Sequence, residues 1–362
     1  MSKTSKTIDK SLTPNKDAQG RFSGTARVMR IAGFPLLVLV SVLVCIALGS
    51  VPVSLGKTAS ILLGAIKGKV FTGDVEATII LTVRVPRVLS VLLAGAALSL
   101  CGAVMQGLLR NPLADGATLG VSSGASLGAM LAILLGVSLP GIPLAGSAAF
   151  AVLFAFLSLV MVLSLAFALD RSLATSTIIL IGVIYTMFIG SLMSLLIAFS
   201  GTKLRSITFW TLGSLSGTSY TDVLFLFGTL LICGLVLYNN SRELDIFATG
   251  EENAHNVGVS VRRVKLTVMV FVSVLIGVTV SVGGTIAFVG LVIPHIARFI
   301  VGPSHKRLLP SSMILGSVFL LYCDLLARTI LSPIELPLGV VTSLIGAAFF
   351  IVILARSRRK AA

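Results

Sequence analysis

Residues 88–108 read VLSVLLAGAALSLCGAVMQGL, a stretch without one Asp, Glu, Lys, Arg or His. Wound as an α-helix at 1.5 Å per residue, it spans about 30 Å, the thickness of a bilayer's hydrocarbon core. A helix on a soluble protein would carry a polar face through such a length. Nine further blocks share its character. The expected spans are 31–50, 88–108, 117–136, 145–169, 177–199, 221–238, 266–282, 285–301, 309–328 and 338–355. The region 266–301 is cut in two at Gly283-Gly284. The fold class expected is therefore all-α, a polytopic membrane helix bundle of about ten transmembrane helices.

Composition agrees. Of 362 residues, 56% are hydrophobic and 11% charged, against about 25% charged in soluble domains. The formal net charge of +15 could suggest nucleic acid, but the cations flank apolar blocks and no aromatic residues interleave with them as a stacking platform. With both termini cytoplasmic, 20 of the 28 lysines and arginines fall inside. The eight outside are Lys57, Lys67, Lys69, Arg84, Arg87, Lys203, Arg205 and Arg328, a bias that fits the positive-inside rule. The domain organisation expected is a basic cytoplasmic tail over 1–30, a transmembrane domain over 31–355 with an inner loop at 239–265, and a basic cytoplasmic end over 356–362. The first apolar block lacks a small-residue cleavage pattern and is read as a retained span.

No catalytic constellation is present. His255, His295 and His305 lie in different segments, and there is no HExxH motif or P-loop. Cys45, Cys101, Cys233 and Cys323 occupy separate apolar blocks with no metal-ligand spacing. The chain is expected to be no enzyme and to hold no metal or cofactor. Gly120, Gly124 and Gly128 fall at i, i+4 and i+8, where small residues admit close helix packing. Between Lys203 and Tyr220 a short interfacial helix is expected, anchored by Trp210, the single tryptophan.

Three features remain. Arg84 and Arg87, in RVPR, share a helix face if Pro86 sits in a first turn, and Arg328 ends the ninth span on the same side. Outer arginines want anionic partners; lipid headgroups are the competing reading. Asp324 is the main carboxylate deep in a span, and it reads either as a partner of Arg328 at i+4 or as an ion site. In the inner loop, Gly250 followed by Glu251 and Glu252 resembles a helix start, and Val257-Gly258 its end.

These features resemble the cobalamin, haem and ferric-siderophore permeases of bacterial ABC importers. The resemblance runs from about Val83 to the C-terminus, through residues 84–128, ITFWTLGSLSG at 207–217, ATGEENAHNVGV at 248–259, GGTIAFVGLVIPHIARFIVGPSHKRLLP at 283–310 and ELPLGVVTSLIGAAFF at 335–350. It implies a ten-span permease in the bacterial cytoplasmic membrane. Its partners would be a second permease subunit (identical or paralogous), two cytoplasmic ATPase subunits that use the ATP, an extracytoplasmic substrate-binding protein, and membrane lipid. Arg84, Arg87 and Arg328 match docking positions for the binding protein. Ala248, Gly250, Glu251, Glu252, Ala254 and Gly258 match the segment that couples to the ATPase. Asn111, Leu113, Thr175 and Ser176 match positions at the inner gate. Asp115-Gly116 departs from the acid–proline pair of many relatives. The substrate expected is an iron–siderophore complex, with haem or cobalamin as alternatives; an ion-coupled secondary carrier and a non-transporting scaffold are the rivals from other classes.

Overall fold

A computed structural model describes residues 33–137 and 145–361. The expected basic tail over 1–30 lies outside the described residues. The chain divides into two units, 1–40 and 41–362. Every described regular element is helical: α1 (Phe34–Ala47), α2 (Leu55–Ile66), α3 (Val75–Leu108), α4 (Val121–Leu135), α5 (Ala145–Leu169), α6 (Thr175–Ala198), α7 (Leu204–Thr211), α8 (Tyr220–Asn239), α9 (Ser241–Phe247), α10 (Glu251–Asn256), α11 (Val261–Gly283), α12 (Val289–Val301), α13 (His305–Thr329) and α14 (Leu338–Ala361). Six of them, α3, α5, α6, α8, α11 and α13, are long and apolar enough to cross a bilayer. Each of the ten expected blocks contains a helix, but α1, α4 and α12 are 13 to 15 residues long, shorter than drawn, and residues 48–50 and 285–288 are not helical.

The second block starts earlier than expected. Asp74 caps α3 by accepting hydrogen bonds from the amides of Glu76 and Ala77 at 3.0 and 3.1 Å. The helix then runs 34 residues, and its most apolar window has a mean hydropathy of 2.3. Pro86 therefore lies within it, not in its first turn. A π-helical segment, Ile79–Arg84, precedes the proline, and such a widened turn accommodates the backbone bond that proline cannot make. The stretch 51–83, which lies between the first two expected spans, thus holds α2 and the first part of α3.

Helix α3 is the axis of the second unit: 83% of its most apolar window is buried, against 22% for α6 and for α8. Around it pack α8, α11, α12 and α13. Two glycine crossings bring backbones into contact. A Cβ on Gly95 would stand 2.4 Å from the Gly316 carbonyl oxygen of α13, and one on Gly102 would stand 1.8 Å from that of Gly290 in α12. Close approach of this kind brings many weak dispersion contacts into range where lipid supplies no hydrophobic drive. Gly124 and Gly128 likewise seat α4 on α5, over Ser158 and Phe150. Gly120 is not on that stripe; it precedes α4 in a left-handed conformation and faces Tyr185. On α6 the exposed side chains include Leu180, Ile184, Met187 and Phe188, an apolar surface suited to lipid or another spanning chain.

The expected short helix forms as α7. Beyond it, Leu338 donates its amide to Gly213 O at 2.9 Å and Ser214 to Gly283 O at 2.9 Å, tying three interhelical segments together.

Candidate functional site

Arg84, Arg87 and Arg328 come together, as their sequence positions suggested, but their side chains turn inward. All three are buried, at 4%, 6% and 3% exposure. Arg87 donates through Nε to Asp324 Oδ1 at 3.0 Å, with Nη2 2.9 Å from the same oxygen. Its Nη1 lies 2.9 Å from both carboxylate oxygens of Glu335. Arg328 stands 3.3 Å from Asp324 Oδ2, an ion pair without hydrogen-bond geometry, and donates through Nη2 to Cys45 O. Among the described residues, Arg84 takes no carboxylate. It donates to Ile46 O at 3.0 Å, Ala47 O at 2.8 Å and Val51 O. The first two are orphan carbonyls at the end of α1, the negative end of a helix dipole.

The i, i+4 pairing of Asp324 with Arg328 is present, and Arg87 is a second partner. The three arginines expected as docking positions are thus engaged within the chain. Each guanidinium is largely withdrawn from water, and burying a cation demands carboxylates or carbonyls within reach. Glu335, whose side chain is 36% exposed, is the acid of this knot nearest to solvent. It stands inside the ELPLG stretch and was not singled out, because an acid between two helices ordinarily reads as loop.

At the other end, the inner loop folds as anticipated. Gly250 precedes α10 with φ at +124° and Gly258 follows it at +92°, both conformations that side-chain-bearing residues rarely adopt. Glu251 and Glu252 occupy its first turn. Ala248, Glu252 and Gly258 are exposed, whereas Ala254 is fully buried. Ala254 thus seats the helix on the protein and offers nothing to a partner. Glu251 is also engaged within the chain. Its Oε1 accepts from Thr175 Oγ1 at 2.8 Å, and its Oε2 lies 2.7 Å from Lys265 Nζ.

Two groups of expected residues, one for the gate and one for coupling, are therefore joined through Glu251 and Thr175. Ser176 is exposed beside them. Asn111 and Leu113 lie in the turn after α3, where Asn111 Oδ1 accepts the Leu113 amide at 2.9 Å and Leu113 is exposed. A cleft of 570 Å³ separates the end of α3 from the loop, lined by Leu109, Arg110, Thr175, Gly250, Glu251 and Glu252 among others.

Lys265 was missed. It follows Arg262 and Arg263 and reads as one more flanking cation, yet it is only 1% exposed. Its Nζ also donates to Leu173 O at 2.8 Å. That carbonyl is aimed by a turn in which Leu173 has φ at +54°. Asp170 holds the turn, accepting from the Ser172 hydroxyl at 2.7 Å, the Ser172 amide at 2.9 Å and the Ala174 amide at 3.0 Å. These bonds, the Ser172 hydroxyl foremost, hold the Asp170 carboxyl below the usual carboxylate range. A second anchor lies close in sequence: Asp245 of α9 accepts from the His305 amide at 2.8 Å and from Ser304 Oγ at 3.0 Å, and its Oδ1 is 2.6 Å from His305 Nδ1.

Among the described residues, neither end of the bundle pairs a nucleophile with a base. What both do is fasten helices to one another across long sequence separations, and at one end they fasten a short loop helix to the roots of two spanning helices. That is the build of a multi-pass membrane permease, in which movement of segments replaces bond chemistry. The chain belongs to the FecCD transport family, whose pattern it matches over residues 37–356. It is 44% identical to an uncharacterised ABC transporter permease of Bacillus subtilis (strain 168) over 281 residues, 78% of this chain and 80% of that one. It is 36% identical to the hemin transport system permease of Yersinia pestis over 294 residues, 80% of this chain and 86% of the other. Among solved structures, it superposes with a TM-score of 0.78 on a chain described as an inward-facing conformation of a metal-chelate type ABC transporter, at 33% identity, covering 90% of this chain and 98% of that one.

Proposed function

We propose that this chain is the transmembrane permease subunit of an ABC importer that carries an iron–siderophore complex across the bacterial cytoplasmic membrane. It works in a pair of permease subunits, driven by two cytoplasmic ATPase subunits and fed by an extracytoplasmic binding protein. The observation that carries this reading is the fastening of loop helix α10 to Thr175 and Lys265 through Glu251. A loop helix rooted in spanning helices transmits force applied from outside the chain, as a subunit without its own ATP site requires.

The alternation of the ten spans has support from contacts, and the cytoplasmic placing of both termini rests on their basic flanks. Arg87 with Asp324, Lys203 with Leu134 O, and Ser214 with Gly283 O each join segments assigned outside. Thr175 with Glu251, His305 with Asp245, and Arg298 with Gln106 each join segments assigned inside. A wrong alternation would require these pairs to bridge the membrane. In this reading Arg84, Arg87 and Arg328 form the ground on which the binding protein docks, Glu335 giving way to its acids. The exposed Ala248 and Glu252 meet the ATPase, and Asn111, Leu113, Thr175 and Ser176 flank the inner gate.

Iron is favoured by the hemin and metal-chelate relatives; haem and cobalamin are the alternative cargoes. An ion-coupled carrier is disfavoured because Asp324, the deep carboxylate it would use, is held between two guanidinium groups. The test is ATP hydrolysis by the reconstituted complex with its cognate binding protein, loaded in turn with ferric siderophore, haem and cobalamin. Stimulation greatest with ferric siderophore is expected. No stimulation by any loaded form would overturn the assignment.

A further inference from the structure

We infer that Lys265 is a positioning residue that carries displacement of α10 into the inner ends of α6 and α11 together, an inference that rests on the coupling role proposed above. Its ammonium stands at a three-way junction: Glu251 of α10 at 2.7 Å, Leu173 O in the turn leading into α6 at 2.8 Å, and its own helix α11. Glu251 closes the junction by accepting from Thr175 Oγ1, the first residue of α6, at 2.8 Å. Three elements thus share one carboxylate and one ammonium, and none can shift by an ångström without stretching a charge-assisted bond.

Two features indicate a built joint. The lysine is buried to 1% exposure while its glutamate is 31% exposed, and burying an ammonium is a poor way to gain stability compared with apolar packing, whereas it fixes one register. The carbonyl it reaches is presented by a turn that puts Leu173 at φ +54° with its side chain buried, a left-handed conformation that leucine rarely takes. Asp170 braces that turn through its bonds to residues 172 and 174. Apolar seating of Ala254 fixes where α10 lies; the polar joint fixes what moves with it. A push on the exposed face of α10 therefore reaches Thr175 through Glu251 and α11 through Lys265. The root of α6 and the root of α11 move as one body.

The experiment uses the complete complex with its ATPase subunits and binding protein in proteoliposomes, and the variants Lys265→Met, Lys265→Arg, and Glu251→Lys combined with Lys265→Glu. Lys265→Met is expected to co-purify with the ATPase yet lower substrate moved per ATP hydrolysed by about tenfold. Lys265→Arg should recover most of that ratio, and the exchanged pair should do better than Lys265→Glu alone. A separate reading needs no transport: in the isolated chain, Lys265→Met should speed amide hydrogen exchange in both 252–256 and 175–180. Faster exchange in both segments with a lowered ratio supports the joint. An unchanged ratio in Lys265→Met, or unchanged exchange in either segment, overturns it. If the wild-type complex is not stimulated by its binding protein, the proposed function fails instead, and the exchange measurement alone decides the joint.

Discussion

Arg87 and Asp324 lie 237 positions apart in the chain and meet at 2.9 Å in the interior, where the aspartate is 1% exposed. The pair sews α3 to the C-terminal part of α13, and Arg328 approaches the same carboxylate from the next helical turn. One acid therefore neutralises parts of two buried cations. Removing it leaves Arg328 only the Cys45 carbonyl and Arg87 only the half-exposed Glu335, whereas removing Glu335 leaves Arg87 its buried partner.

A difference in stability follows. Asp324→Asn should destabilise the purified protein by about 3–5 kcal/mol, the usual cost of breaking a buried pair from one side. Glu335→Gln should cost about 1 kcal/mol or less, being screened by solvent. Thermal unfolding in detergent measures both, and equal losses would contradict the assigned geometry.

The same knot bears on docking. If an acidic partner approaches Arg87, Glu335 is the group it must displace. Glu335→Gln should then tighten binding-protein association by roughly 5-fold, about 1 kcal/mol, and leave it salt-sensitive. Charge reversal at Arg87 would be a poorer test, since a glutamate there would face Asp324. Affinity measured over a salt series decides; weaker binding in Glu335→Gln would mean that the glutamate itself is part of the docking ground.

Topology can be read by labelling. Thr72 and Asn256 are both exposed. Single cysteines there, in a background lacking Cys45, Cys101, Cys233 and Cys323, should react with an impermeant reagent from opposite sides. In intact cells position 72 is expected to label and 256 to be protected. Labelling of both from outside would break the proposed alternation.

Much of this was legible because bilayer thickness imposes its period on sequence. The ten apolar blocks, the break at Gly283-Gly284 and the helix start after Gly250 all rest on local physics, namely hydropathy, glycine dihedrals and helix dipoles. The family motifs likewise led to the FecCD family. What escaped depends on distance in sequence. Nothing local tells whether Arg87 turns toward water or toward Asp324, and nothing near Lys265 reveals Leu173 O. The early start of α3 had a signal, the Asp74 cap two residues before Glu76, but RVPR drew the boundary to the proline. A π-helical turn has no comparable local signature.

Coupling through the loop has its own test. A Cβ on Gly250 would meet only the Asn253 side chain, at an ordinary 3.6 Å, so its φ of +124°, not crowding, calls for glycine. Gly250→Trp should disturb both the turn and the face offered to the ATPase. Glu252→Arg changes the exposed face alone, leaving Glu251 with Lys265. Both variants should insert normally, with binding-protein-stimulated hydrolysis and uptake falling together by about tenfold, while outer docking persists. Normal uptake in both would remove α10 from the transmission route.

The most direct measurement is substrate uptake into proteoliposomes holding the permease with its ATPase subunits, with the loaded binding protein outside and nucleotide access controlled. Uptake should require ATP on the ATPase side and the binding protein on the other, and it should survive collapse of proton and sodium gradients. Uptake by this chain alone, driven by an ion gradient and indifferent to ATP, would contradict the importer and make Asp324 an ion site after all.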